Sequence, residues 1–333
     1  MCDCAAARWG ILSTARVNRH VIAALRVTTK GKLIAVASRT LENASTYAAE
    51  NDIPLAFGSY DELLSCKDVD CVYISLPNNL HYEWVIRALH AGKHVLCEKP
   101  MTLVPQQVAE MYALAKDRNL GLSEGFMYFH TDLFKSVAKV VADGTIGSVR
   151  SISGEFGFSW GRGGFRLTSN LEGGGSLWDV GGYLVSYAIA LLPEDEVVDA
   201  TADMLCDATL SSDVSSFFTL RFRSGCVAQF QSSFEGPLRM GIRIVGTQGS
   251  LNVANPLKPL PGQPSMIDIC HVDGTTKQIE VIDSQSHLYQ GEVDDLSEVA
   301  LGMKPTSDFP ASVSLKTVAL ITQMQTSAKR FTS

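Results

Sequence analysis

The sequence predicts an α/β fold: an N-terminal half built on a doubly wound parallel sheet, then an α+β half with a mainly antiparallel open sheet. Three observations carry this. Over the first 125 residues, short and continuously apolar segments alternate with segments of helical apolar spacing, the pattern of strands covered on both faces by crossover helices. From residue 197 onward, strand-like runs follow one another across Ser224-Gly225, Gly246–Gly249 and Asp273-Gly274, which are hairpin turns by composition. The chain has 333 residues, of which 46% are apolar and 19% charged, enough for two domains with a sizeable core. The expected division is 1–125 and 126–333.

The elements follow in order. Arg8–Leu12 is a short apolar strand, and Val17–Val27 carries helical spacing through Val17, Val21, Ala24 and Leu25. Lys32–Ser38 is the second strand. Leu41–Asn51 is a helix with Thr40 as its N-cap, and Ser59 opens a short helix over Tyr60–Ser65 after a strand at Leu55–Phe57. Cys71–Ser75 is a buried strand, and Leu80–Ala91 a helix closed by Gly92. Val95–Cys97 is the next strand, followed by a helix over Val104–Arg118 with Thr102 as candidate cap and a sixth strand at Leu120–Ser123. In the second half, helices are expected at Leu133–Asp143, Tyr183–Leu192, 289–302 and 311–329. Hairpins join Val214–Arg223 to Cys226–Phe234, Arg239–Val245 to Ser250–Val253, and Ile267–His271 to Gln278–Ile282.

Composition narrows the function classes. The formal charge of −7 and the lack of any basic run argue against nucleic acid as a partner. No stretch of about 18 apolar residues marks a membrane span. No secretory signal is expected ahead of the first strand. The eight cysteines, several of them inside strands, do not form a disulfide framework by spacing, so a reduced, cytoplasmic setting is expected. No metal site is expected, since Cys2 and Cys4 have no suitably spaced partner.

Five constellations carry chemistry. The first strand runs into Gly10-Ile11-Leu12-Ser13-Thr14-Ala15, a degenerate dinucleotide fingerprint with small residues in place of its later glycines. Its position between a strand and a helix suits a pyrophosphate at a helix N-terminus. The second strand ends in Ser38-Arg39, where an NAD-binding Rossmann domain holds a carboxylate. A serine and a guanidinium instead suit the 2′-phosphate of NADP. Pro77 and Asn78 end the fourth strand, and His81 opens a helix there, either as a cofactor contact or as part of a capped helix start. Glu98-Lys99-Pro100 places a carboxylate, an amine and a rigid proline at the C-terminal end of a buried strand, the edge where such sheets bind ligands. Gly173-Gly174-Gly175 precedes Asp179 and Tyr183, which lie one helical turn apart. That tyrosine is either a core residue or an acid–base group assisted by a nearby cation.

Taken together, these motifs resemble the glucose-fructose oxidoreductase / inositol dehydrogenase (Gfo/Idh/MocA) family over roughly residues 8–250. They are most similar to its dimeric dihydrodiol dehydrogenases and NADP-dependent D-xylose dehydrogenases. The resemblance implies Lys99 as catalytic lysine, Tyr183 as the tyrosine standing where inositol dehydrogenases have histidine, and Asp179 as its acidic partner. It implies Glu98 and Pro100 as the shapers of the cofactor turn, Arg39 as the 2′-phosphate arginine, and an open sheet that often forms an oligomer interface. Ser13 and Ala15 depart from the commoner glycine pattern.

The expected activity is hydride transfer between NADP(H) and a carbinol or carbonyl carbon of a sugar or cyclic diol. Tyr183 serves as acid–base and Lys99 as its cation. Tyr128, Phe158, Trp160 and Arg166 are the expected substrate contacts, within a wider group of Phe126, Phe129, His130, Arg162 and Phe165. The alternatives are a redox-neutral enzyme with tightly held nicotinamide, or a non-catalytic NADP-binding regulator, which would need none of Lys99, Asp179 and Tyr183. A homo-oligomer through the C-terminal sheet is expected.

Overall fold

The computed structural model describes residues 6–160, 173–209 and 212–332. By its internal contacts the chain divides into two units. The first comprises Met1–Thr102, Gln106–Met127 and Gln285–Ala311, and the second Leu103–Pro105, Tyr128–Ser284 and Ser312–Ser333. The two-piece division at residue 125 therefore misses a return: residues 285–311 pack with the first unit.

In the first unit, β1 (Ala7–Leu12), β2 (Gly31–Ala37), β3 (Leu55–Phe57), β4 (Cys71–Ile74), β5 (His94–Cys97) and β6 (Leu122–Glu124) form a sheet in the order β3-β2-β1-β4-β5-β6. Every pairing in it is parallel. The order reverses between β1 and β4, the switch point that opens a ligand crevice at the strands' carboxyl ends. All four residues of β4 are fully buried, as a central parallel strand requires. Helices α1 (Asn18–Val27), α2 (Leu41–Asn51), α3 (Tyr60–Ser65), α4 (His81–His90) and α5 (Pro105–Asp117) connect the strands. Thr40 and Ser59 cap α2 and α3 by accepting from Asn43 N and Glu62 N. Thr102 lies three residues ahead of the start of α5. That helix begins at Pro105, whose missing N–H costs nothing in the first turn, and the Thr102 hydroxyl donates to Gln107 Oε1.

The returning segment supplies helix α8 (Gln290–Ala300), with Val293 and Leu296 fully buried. Burying each such side chain stabilises by about 1.5–3 kcal/mol. Trp9 Nε1 donates to Ser297 Oγ at 2.9 Å. Gly31 allows this close packing, since a Cβ there would lie 2.8 Å from Trp9 Nε1.

In the second unit, β7 (Val149–Gly157), β8 (Val197–Cys206), β9 (Asp213–Phe222), β10 (Val227–Ser233), β11 (Arg239–Gly246), β12 (Gly249–Val253), β13 (Pro264–His271), β14 (Thr276–Ile282) and β15 (Lys329–Thr332) build one sheet. Its order is β14-β13-β12-β11-β7-β10-β9-β8-β15. The pairings are antiparallel except β7 with β10 and β8 with β15. The sequence did not point to β7 or β15, the strands that make the sheet mixed. Alternation sets the faces: Phe218, Leu220 and Phe222 of β9 are buried, whereas Phe217 is 52% exposed. Helix α6 (Asp132–Ala142) is amphipathic, while α7 (Gly182–Leu191) is buried all round. Helix α9 (Ala311–Ser327) precedes β15. Among the described residues, no helix is long and apolar enough to cross a membrane.

Candidate active site

The first unit's site begins at the turn from β1 to α1. Ser13 takes φ 132°, a conformation natural to glycine. A buried hydrogen-bond knot holds it there. Ser13 Oγ lies 2.7 Å from Ser75 Oγ and accepts from Ala15 N, Asn18 Nδ2 donates to Ser13 O, and Ser75 Oγ donates to Asn18 Oδ1. Thr14 and Ala15 are half-buried beside it. Helix α1 starts at Asn18 without a side-chain cap and with no acid in its first turn. Such a terminus suits an anionic phosphate.

Gly10 has a different role from the expected one. It lies inside β1, and a Cβ there would stand 2.8 Å from Leu63 Cδ2 and 3.2 Å from Val69 Cγ1. The packing of α3 against β1, rather than approach to a phosphate, requires the glycine.

Strand β2 ends at Ala37, followed by buried Ser38 and exposed Arg39. Among the described residues, Arg39 makes no salt bridge. No carboxylate stands in the ribose position, so these residues fit a dinucleotide carrying a 2′-phosphate.

Beyond β4, Pro77 is exposed and Asn78 half-buried in a 3₁₀ turn that leads into α4. His81 is fully buried, with Nδ1 2.8 Å from Pro100 O and Nε2 2.7 Å from Leu76 O. Burial holds its imidazole below the usual histidine range. Of the two readings, the scaffold one fits: both ring nitrogens lie against backbone carbonyls, to one of which the neutral imidazole donates, between the loop after β4 and the loop after β5.

The Glu98-Lys99-Pro100 segment sits at the carboxyl end of β5. Glu98 N donates to Ile74 O, continuing the β4–β5 ladder. Glu98 Oε1 accepts from the Tyr73 hydroxyl at 2.5 Å, and Oε2 accepts from Lys99 N at 3.3 Å. The peptide from Lys99 to Pro100 is cis, and Lys99 is half-buried. Met101 N donates to Glu124 Oε1 at 2.7 Å. Behind this segment lies Glu292 of α8. It is fully buried, and neither of its carboxyl oxygens has a hydrogen-bond partner among the described residues. Burial, then the charges of Glu98 and Asp295, pushes its carboxyl well above the usual range.

In the second unit, Asp179 lies in a π-helical turn, Leu177–Gly181, that leads directly into α7. Single π turns are frequent at functional sites. Tyr183 is 5% exposed, and its ring lies 5.6 Å from that of Phe156 in a T-shaped arrangement and 6.3 Å from that of Tyr128. Asp179 is half-buried. Phe158 and Trp160 prolong β7 as half-buried aromatics 6.2 Å apart, their N–H groups donating to Ser233 O and Phe234 O.

Tyr128 departs from expectation. It has no exposed surface, and its hydroxyl donates to Ser186 Oγ at 3.0 Å, so it supports Tyr183 from the core rather than lining a substrate surface. Arg166, with Arg162 and Phe165, lies outside the described residues.

Sequence reading passed over Asn18, Tyr73, Ser75, Glu124, Asp213 and Glu292. Each is a polar residue within an apolar pattern. Polar residues are seldom buried, and when buried they are usually hydrogen-bonded. Asn18 on the inner face of α1 was a usable signal; the others acquire meaning only from partners distant in sequence.

Residues 7–126 match the oxidoreductase family with an NAD-binding Rossmann fold, and residues 134–252 match the GFO/IDH/MocA C-terminal domain. The chain is similar to D-xylose 1-dehydrogenase (NADP(+)) 2 of Haloferax volcanii, 38% identical over 251 residues that cover 74% of this chain and 75% of that one. It is also similar to a trans-1,2-dihydrobenzene-1,2-diol dehydrogenase of Xenopus tropicalis, 28% identical over 86% of this chain and 88% of that one. Among solved structures, a 3-ketoreductase from Actinomadura kijaniata in complex with NADP and TDP-benzene superposes with a TM-score of 0.89. The identity is 27%, covering 99% of this chain and 100% of that one. With both halves matched and the parallel and mixed sheets as described, the chain belongs to the GFO/IDH/MocA oxidoreductase family.

Proposed function

We propose that this chain is an NADP(H)-dependent oxidoreductase acting on a CH–OH carbon of a sugar or cyclic diol. The observation that carries the reading is the end of β5. There Glu98, fixed by the Tyr73 hydroxyl and by the N–H of Lys99, sets the backbone from which the Lys99 amine extends at the carboxyl edge of the parallel sheet. The xylose and dihydrodiol dehydrogenases and the ketoreductase above support the substrate class through the reactions in their names. Variants of that ketoreductase with a lysine changed to alanine and a tyrosine changed to phenylalanine have also been solved. The two altered positions are spaced along that chain as Lys99 and Tyr183 are along this one, which supports both roles.

NADP, when bound, supplies the hydride acceptor for oxidation and, as NADPH, the donor for reduction. Ser13, Thr14, Ala15 and the uncapped start of α1 hold its pyrophosphate, and Ser38 and Arg39 its 2′-phosphate. Pro77, Asn78 and Glu98 shape the loops beside it. Tyr183 takes the hydroxyl proton in oxidation and returns it in reduction. Lys99 is assigned the part of the cation that favours the phenolate and holds the reacting oxygen, and Asp179, one turn before Tyr183, that of its acidic partner. Phe158 and Trp160 offer flat apolar surface to a sugar or diol ring, and Arg166 a hydrogen-bonding guanidinium.

The test is absorbance at 340 nm on mixing the protein with NADP and a panel of aldoses and cyclic diols. Turnover with NADP above that with NAD is expected. Nicotinamide that co-purifies and does not exchange would indicate a redox-neutral enzyme, and binding without turnover on any substrate a regulator.

The proposal extends to self-association through the open face of the second unit's sheet, which exposes Phe217 amid Thr219, Gln229 and Arg243. A Phe217→Asp variant that keeps the wild-type mass in light scattering would reject it. Cys71, Cys97 and Cys226 are buried free thiols, which supports a reducing, cytoplasmic compartment.

A further inference from the structure

The π-helical turn that carries Asp179 is held from a strand distant in sequence. Asp213 opens β9 and is fully buried. Its Oδ2 accepts three hydrogen bonds: from Ser176 Oγ at 2.7 Å, from Leu177 N at 2.8 Å and from Ser216 Oγ at 2.8 Å. Ser176 is the residue before the π turn and Leu177 its first. Ser176 Oγ also lies 3.0 Å from Ser232 Oγ of β10. The far end of the turn touches the same serine, since a Cβ on Gly181 would lie 3.3 Å from Ser232 Oγ and 2.9 Å from Leu177 Cδ1. Both ends of the turn are therefore held against β9 and β10, one by a carboxylate and the other by a close approach that a Cβ would crowd.

A buried carboxylate is costly unless its oxygens are hydrogen-bonded. Asp213 nevertheless directs all three donors to Oδ2, and Oδ1 has no partner among the described residues. That is a poor arrangement for stability and a good one for fixing the direction of a single backbone N–H. The direction matters because a π turn holds one residue more than an α turn. Relaxation of the turn to α geometry rotates everything after it by one residue's phase, about 100°. Asp179 lies within the turn and Tyr183 just beyond it, so such a slip separates the two.

We propose that Asp213 is a positioning residue for the Asp179–Tyr183 pair, locking the π turn through Ser176 and the Leu177 amide and so fixing the angular relation of carboxylate and phenol. The proposal rests on the reading of Tyr183 as the proton-exchanging group.

Steady-state kinetics with NADP and the best substrate of the panel test it. The variants are Asp213→Asn, Ser176→Ala, Ser215→Ala, Tyr183→Phe and the double Tyr183→Phe/Asp213→Asn, each assayed below its melting temperature. Asp213→Asn is expected to lower kcat about 10- to 100-fold, the scale of a small misplacement of a reacting group. It should leave KM for NADP unchanged and shift the pH midpoint of kcat. Ser176→Ala should move the same quantities less. Ser215 pairs with Ser233 Oγ at 2.7 Å on the same two strands, and among the described residues its side chain has no hydrogen bond to the turn or to Asp213. Ser215→Ala should therefore keep wild-type kcat even where it lowers the melting temperature. The double variant should lose no more than Tyr183→Phe alone, because Asp213 acts through Tyr183.

Wild-type kcat and pH midpoint in folded Asp213→Asn would overturn the proposal, as would losses that multiply in the double variant. If Asp213→Asn does not fold, unchanged kcat and pH midpoint in Ser176→Ala overturn it equally. Wild-type turnover in Tyr183→Phe removes instead the reading beneath it.

Discussion

The two units hold the side chains proposed to react in opposite ways. In the first, Lys99 stands at the end of a strand, and the neighbouring strand holds it by ordinary ladder bonds such as Glu98 N to Ile74 O. The side chains that assist are close in sequence or on the adjacent strand: Glu98 itself, and Tyr73 of β4. In the second, Asp179 and Tyr183 lie on an irregular helical turn, and what fixes them is a buried acid on β9. A parallel sheet carries geometry in its connectivity, so local sequence suffices. An irregular turn lacks that support and needs a partner from elsewhere in the fold.

The largest test of this contrast is removal of the groups proposed to react. Tyr183→Phe should lower kcat about 10²–10⁴-fold, the usual contribution of a positioned acid–base group, with an unchanged far-UV spectrum. Lys99→Ala should lose a similar factor. A loss confined to one of the two would break the pairing of amine and phenol.

Next in size is Arg39→Ala. It should raise KM for NADP about 10- to 100-fold while leaving KM for NAD nearly unchanged, the worth of a charge-assisted hydrogen bond of about 1.5–3 kcal/mol. Equal effects on both cofactors would remove the phosphate role.

A smaller effect, on stability, is expected from the knot beneath the β1–α1 turn. Ser75→Ala leaves Asn18 Oδ1 and Ser13 Oγ short of a partner in a buried place. It should cost about 1–3 kcal/mol in urea denaturation, with a higher KM for NADP. Wild-type values of both would mean that the strained Ser13 is held by the strand ladder alone.

The smallest concerns Glu292→Gln and the pH dependence of folding. The Glu292 carboxyl is raised well above its ordinary value, chiefly by burial. Its contribution to stability is therefore fully present below the unfolded carboxylate pKa and is lost as pH rises through the folded one. Glutamine keeps the shape without the charge. The melting temperature of the variant relative to wild type should accordingly rise between pH 5 and pH 9. A constant difference would mean that Glu292 does not change protonation in that range.

Much of the first unit was legible because its signals are local. Helices α2 and α3 fall on the expected residues because Thr40 and Ser59 cap them from the adjacent position, and the order of apolar runs announces a parallel sheet. Helix α5 was misjudged at its start because Thr102 suits a cap by type, while Pro105 settles where the helix begins. His81 and Gly10 were legible as residues of note but not in their roles: whether an imidazole or a bare Cα faces a ligand or a neighbouring loop depends on what packs against it.

Residue order and chemistry alone determined the doubly wound sheet, the hairpins of the second unit and the serine–arginine end of β2, because periodicity, caps and motif spacing all act over a few residues. Only the tertiary structure decided the return of residues 285–311 to the first unit, the parallel pairings of β7 and β15, the burial of Glu292 behind Glu98, and the hold of Asp213 on the turn before Tyr183. These depend on which distant segments meet, and a contact between residues far apart along the chain leaves no periodic trace in either of them.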